Sequence, residues 1–284
     1  MRKFTENNVA NKTYNLSILI RHILDLDFRS IVAFALFILF VNSTFAAQEQ
    51  FVNLPTRENV SVPSWVITPE KVEASVILFS GGGGDIQISE DGIGKKGNFI
   101  IRSRYHFVDN NFVVYIPDVP SDYDDLLGAR IGKDHVTDVK KMIQWLREKY
   151  PDKHVWLAGT SRGTISVASV AANSDVNDGP DGIVMTATVT QETNSGKDSV
   201  YSTQVENIVV PTLLSHHKRD ACYVTLFEDI DDLYDDLVRV KQKEIFAYTG
   251  GLNIGDECQG KSYHGFNGIE EEVVDDISAW IKSQ

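Results

Sequence analysis

The stretch HVWLAGTSRGTISVA, residues 154–168, passes from an apolar run through a glycine-flanked serine into a small-residue segment of helical character. Val155–Ala158 reads as a buried strand and Thr164–Ala172 as a helix. Gly159-Thr160-Ser161-Arg162-Gly163 is then a strand-to-helix turn of the pattern G-x-S-x-G. Such a turn strains the backbone of its central residue and brings neighbouring chain so close that side chains two positions either side would clash, which is why both are glycine. Ser161 is either a presented nucleophile or a serine in an ordinary tight connection. Partners decide between them, because a serine hydroxyl attacks only with a base beside it and a carboxylate to orient that base.

Around this turn, short apolar runs alternate with helical patterns, as in a mostly parallel sheet with helices on both faces. Residues 51–68 read as two edge strands, FVNLPTR and SVPSWVIT. Further strands are expected at Val76–Phe79, Phe112–Ile116, Ile183–Val189, Thr212–Ser215 and Glu244–Tyr248. Helices are expected at Asn98–Val108, Asp134–Lys149 and Gly268–Lys282. The clearest is Asp134–Lys149, with Val136, Val139, Ile143 and Leu146 at helical spacing and Pro151 beyond its end. The closing helix buries Ile269, Val273, Ile277 and Trp280, and Asn267 with Glu270 has capping-box spacing. Nothing divides residues 47–284, which predict one doubly wound α/β domain.

A nucleophile on a strand–turn–helix takes its acid and then its base from further along the chain. Of the histidines His22, His106, His135, His154, His216, His217 and His264, only the last three follow Ser161. His264 lies in SYHGF, between the last strand and the final helix, where the base is required. The acid belongs after the penultimate strand, and PTLLSHHKRDACYV offers Asp220 five residues past Ser215. Asp229, Asp231 and Asp232 suit a solvated helix face, while Asp256 and Glu257 sit close in sequence to His264. His216 and His217 precede the acid and read as loop residues that shape the pocket or serve structure.

A negatively charged intermediate also needs backbone N–H groups aimed at it. One comes from Arg162, the residue after the serine; its side chain, at the rim, has no assigned role. The other comes from Ser80-Gly81-Gly82-Gly83-Gly84-Asp85, with Gly82 and Gly83 the favoured donors. That loop lacks the G-K-[ST] ending of a phosphate-binding loop. The two cysteines, Cys222 and Cys258, flank the candidate acid and base, and pairing them would tie the two loops together. No Cys/His cluster suggests a metal site.

The net charge of −13 argues against nucleic acid or anionic membrane as partner. Residues 1–46 form a separate segment. Arg29-Ser30 precedes the eleven-residue apolar run Ile31–Val41, and Thr44-Phe45-Ala46 offers a small-x-small cleavage site. This is a signal-peptide pattern with a long upstream extension, too short in its apolar part to span a bilayer comfortably. Cleavage would remove five basic and three acidic residues and move the charge from −13 to −15. Export to the periplasm or medium is expected, or a membrane anchor if the segment stays uncleaved.

With the glycine loop, GTSRG, the DAC segment and SYHGF in place, the mature chain resembles the α/β-hydrolase superfamily. The resemblance implies an eight-stranded, mostly parallel sheet and a Ser161–His264–Asp220 triad, with no metal or cofactor. Ser80 stands where HGGG-type esterases carry histidine, and little chain is left for a helical cap. The expected function is an exported serine hydrolase that cleaves small carboxylic esters. The same groups would serve a peptidase, amidase or thioesterase, and the fold also hosts non-catalytic binding modules.

Overall fold

The computed structural model describes residues 47–192 and 198–284. The signal-like segment therefore lies outside the described residues.

Eight strands form one sheet: β1 (Gln48–Arg57), β2 (Val60–Thr68), β3 (Ala74–Phe79), β6 (Phe112–Pro117), β7 (Val155–Thr160), β8 (Gly182–Thr186), β9 (Thr212–His217) and β10 (Lys243–Tyr248). A small separate ribbon pairs β4 (Ile88–Ser89) with β5 (Gly92–Ile93). The order across the large sheet is β1-β2-β6-β3-β7-β8-β9-β10. β1 with β2 and β2 with β6 are antiparallel, and every later pair is parallel. The edges are β1 and β10; β2, read from sequence as an edge beside β1, bonds to β6 on its other side through Ser64–Ile67.

Alternate residues of each strand feed two separate cores. Ile77, Tyr115, Leu157, Met185 and Leu214 pack with α3 (Lys133–Lys149) and α4 (Gly163–Ala172). Val76, Leu78, Val114, Ala158 and Leu213 pack with α1 (Phe99–Arg102), α2 (Arg104–Asp109) and α6 (Glu270–Ser283). Strands buried on both faces read as continuous apolar runs, so they stand out in the sequence. The short α5 (Ile230–Asp236) completes the set.

Four further expectations change. The helix over Asn98–Val108 is interrupted at Ser103, where the Arg104 guanidinium donates to the Ile101 carbonyl at 2.9 Å. β8 stops at Thr186 rather than Val189, because Ala187 turns into the left-handed region at φ 44°. His216 and His217 belong to β9 itself, paired with Ala247 and Tyr248, and are not loop residues. The Asn267–Glu270 capping box does not form; Glu270 accepts instead from Arg102 and from the N–H of Gly268, and α6 begins after Ile269 without a side-chain cap.

Candidate active site

The candidate residues leave the carboxyl ends of strands in the parallel part of the sheet, where α/β sheets place their sites. The glycine loop follows β3, the serine turn follows β7, the Asp220 loop follows β9 and the His264 loop follows β10.

Ser161 sits at φ 53°, a left-handed conformation that costs an ordinary residue on the order of 1–3 kcal/mol. Surrounding bonds hold it there. Its N–H donates to the Thr186 carbonyl at 3.0 Å, and its own carbonyl accepts from Thr164 N–H at 2.9 Å and Thr164 Oγ1 at 2.6 Å. A methyl at Gly159 would lie 2.4 Å from the Gly163 carbonyl oxygen, and one at Gly163 only 2.2 Å from that of Phe79. Both contacts are with backbone that cannot swing aside. The G-x-S-x-G pattern is thus dictated by close approach on both sides.

Asp220 and His264 are buried, at 6% and 4% exposure. His264 Nδ1 lies 3.0 Å from Asp220 Oδ2. Asp220 Oδ1 accepts the Cys222 N–H at 3.0 Å, and Oδ2 also accepts the Thr225 hydroxyl at 2.9 Å. Thr225 Oγ1 is itself 3.1 Å from His264 Nδ1, so three polar groups form one small triangle. With both Nδ1–H and the hydroxyl donating to Oδ2, the neutral tautomer that fits carries its proton on Nδ1 and leaves Nε2 as the acceptor.

Ser161 and His264 line one cavity of about 600 Å³, together with Gly81–Gly84, Asn98, Asp256 and Lys261. No hydrogen bond joins Ser161 to the imidazole among the described residues; such contacts often tighten only when substrate binds. Gly81 packs against the serine, since a methyl there would meet Ser161 Cβ at 3.0 Å. The N–H groups of Gly82 and Gly83 donate no hydrogen bond among the described residues. Of the alternative acids, Asp231 and Asp232 are exposed on α5, Asp229 holds Thr190 and Gln191, and Asp256 lines the same cavity but accepts from the Cys258 N–H rather than from the imidazole.

The disulfide Cys222–Cys258 is formed, with a Cα–Cα distance of 4.7 Å. It joins the acid loop to the base loop. His217 stacks on Tyr263, 4.3 Å between ring centres, and Arg219 covers the same ring at 4.3 Å, bracing the residue next to His264. His216 is fully buried and burial pushes its pKa down to about 4, so it stays neutral beside Asp220.

Sequence reasoning placed the side chain of Arg162 at the rim. It is instead buried and paired with Asp198 at 3.0 Å. Thr225 was missed, for a threonine five residues past the acid carries no signal of its own. Among the described residues, no group of three or more His, Cys, Asp or Glu side chains converges as a metal site would.

No protein-family model matches the chain, and no curated protein does. Solved structures do match. An esterase from Pyrococcus furiosus superposes with a TM-score of 0.60 at 14% identity, over 84% of this chain and 91% of its own. A dienelactone hydrolase from Anabaena variabilis gives 0.58 at 13% identity, over 84% and 96%. The chain has the α/β-hydrolase fold. An alpha-beta serine hydrolase homologue from Coxiella burnetii shares it, with a TM-score of 0.56 at 16% identity over 82% and 97%.

Proposed function

We propose that this protein is an exported serine hydrolase that cleaves small carboxylic esters through an acyl-enzyme. One observation carries the reading: Ser161, strained on its elbow, shares a cavity with a buried His264 whose Nδ1 is bonded to Asp220. The esterase and dienelactone hydrolase among the similar structures support it.

In the reaction, Ser161 Oγ forms a bond to the acyl carbon while its proton passes to His264 Nε2. The carbonyl oxygen takes the negative charge, stabilised by N–H groups of Arg162 and of the glycine loop, Gly82 or Gly83. The tetrahedral adduct expels the alkoxide, which leaves as an alcohol with the proton from His264. Water then gives a proton to His264 and its oxygen to the acyl carbon. Collapse of the second adduct breaks the Oγ bond, returns the proton to Ser161 and releases the acid. Asp220 and Thr225 keep the imidazole in the right tautomer throughout. No cofactor enters.

Export rests on the signal-like segment, and the disulfide fits an oxidising compartment. No helix among the described residues is long and apolar enough to cross a membrane. The test is labelling by a fluorophosphonate, wild type against Ser161→Ala, with a panel of short- and long-chain esters. Labelling that vanishes in Ser161→Ala, with turnover falling as the acyl chain lengthens, is expected. A folded wild type that neither labels nor turns over any ester would sink the proposal.

A further inference from the structure

Arg130 is the largest side chain buried below 2% exposure, at 1%. Burying a guanidinium is expensive unless its donors are matched, and a carboxylate is the usual match. Here the two terminal nitrogens go elsewhere, and Nε has no hydrogen-bond partner among the described residues. Nη1 donates to Ser166 Oγ at 2.6 Å, and Nη2 to the carbonyls of Ser80 at 3.1 Å and Gly82 at 3.2 Å. Ser166 lies on α4, the helix behind the elbow, and the two carbonyls belong to the glycine loop. The nearby charges, Asp198, Asp125 and Arg162, act on Arg130 from beyond hydrogen-bonding distance.

A trans peptide is planar, with its N–H directed opposite to its C=O. Holding the Gly82 carbonyl on the Arg130 side therefore holds the Gly83 N–H on the other side. The Ser80 carbonyl fixes the Gly81 N–H in the same way. The Gly81 carbonyl takes Gly84 N–H at 3.3 Å and closes the loop into a turn. Leu126 N–H donates to the Gly83 carbonyl at 2.7 Å, while Gly82 itself is exposed and a methyl there would meet nothing within 4 Å. At Gly84 a methyl would come within 3.1 Å of Arg130 Nη2, so the last glycine leaves room for the guanidinium.

We propose that Arg130 is a positioning residue for oxyanion stabilisation: a buried cation that sets the peptide planes of the glycine loop and turns their N–H groups away from itself. Its charge lies behind those dipoles, so it adds to the field that stabilises a developing oxyanion. This rests on the hydrolase reading above.

The test measures hydrolysis of p-nitrophenyl acetate by Arg130→Met and Arg130→Lys, with kcat expressed per site titratable by fluorophosphonate, and urea unfolding at each pH. Arg130→Met should lose about 100-fold in per-site kcat, the scale of one oxyanion donor, with KM changed less than about threefold. Arg130→Lys separates positioning from folding. A lysine buried at this place has a depressed pKa, because burial strips the solvation of its charge; from a distance Asp198 and Asp125 raise it and Arg162 lowers it, and His135, packed close by, stays neutral. As pH rises from 6 to 9 the lysine loses its charge, so activity relative to wild type should fall on the order of tenfold. Stability should move the other way, since the unfolded chain binds the extra proton and raising pH removes that penalty.

Per-site kcat of Arg130→Met within threefold of wild type would overturn the proposal. So would an Arg130→Lys ratio that is flat with pH, or activity and stability that rise and fall together. If Arg130→Met does not fold, Arg130→Lys alone decides. A wild type that fails to react with the fluorophosphonate removes the hydrolase reading instead, and is seen before any variant is made.

Discussion

Replacing both Cys222 and Cys258 by alanine tests how far the site depends on a covalent link between its loops. The bridge closes a loop with a sequence separation of 36. For a loop of that length, chain entropy in the unfolded state makes the disulfide worth about 4 kcal/mol. In a domain of this size each kcal/mol moves Tm by roughly 2–4 °C, so the double variant should melt roughly 8–16 °C lower than the oxidised protein. The functional effect is separable. Cys222 keeps its backbone N–H when mutated, so its bond to Asp220 Oδ1 remains available. What is lost is the tether that holds the Asp220 loop against the segment ending at His264. With the loops free, kcat should fall at temperatures well below the melt while KM changes little. The assay is calorimetry beside ester kinetics over a temperature series, on protein titrated for active sites. Equal melting of the two forms would refute the entropic argument. A lower Tm with unchanged per-site kcat would confine the bridge to stability and refute its role in aligning acid and base.

Two further outcomes follow from the buried polar groups. Asp220→Asn should reduce kcat by several orders of magnitude, Thr225→Val by roughly 10- to 100-fold through loss of one hydrogen bond to a buried carboxylate, and Asp231→Asn by nothing measurable; steady-state kinetics on the three variants checks the ranking, and a large effect at Asp231 would move the acid. His216 is held neutral in the fold with a pKa near 4 against 6.5 for an ordinary histidine. The unfolded chain therefore binds the extra proton first, so stability is full above about pH 6.5 and falls by a few kcal/mol as pH drops towards 4. Urea midpoints measured from pH 7 to 4 should show that slope in the wild type and less of it in His216→Phe. Identical slopes would mean that other groups, His135 among them, control the acid limb.

The legible and illegible parts of this protein divide along a physical line. Strands buried on both faces, such as Val76–Phe79 and Phe112–Ile116, announce themselves because every position must be apolar. The elbow is legible because backbone contact forbids any side chain at Gly159 and Gly163. Chain order then picks out Asp220 and His264, and the structure brings them to 3.0 Å. What escapes is polar and buried by tertiary contact. Arg130 sits in an ordinary-looking loop sequence, and no local pattern marks an arginine whose acceptors are backbone carbonyls 48 and 50 residues away. Arg162 reads as a surface residue until Asp198 arrives from beyond β8. Glu270 has the right spacing for a cap, but Arg102, 168 residues earlier, claims its carboxylate first. In each case a long-range partner overrides a local rule.

Those overrides are not scattered. Arg130, Arg162 with Asp198, and Asp220 with Thr225, His216 and His264 all gather at or beyond the carboxyl ends of β3, β7, β9 and β10. Each ionisable group there bears a desolvation cost that an apolar residue would avoid. The opposite ends of the same strands carry apolar contacts such as Trp156 against Trp280, with ring centres 5.5 Å apart. Two apolar layers thus supply the stability that lets one end of the sheet hold buried charge and a strained serine. If function were absent, selection for stability would favour replacing Arg130 and Asp220 with apolar side chains of similar volume. Here Arg130 instead holds Ser166 and the glycine loop, and Asp220 holds Thr225 and His264, an arrangement that the proposed hydrolase chemistry calls for and a passive fold does not.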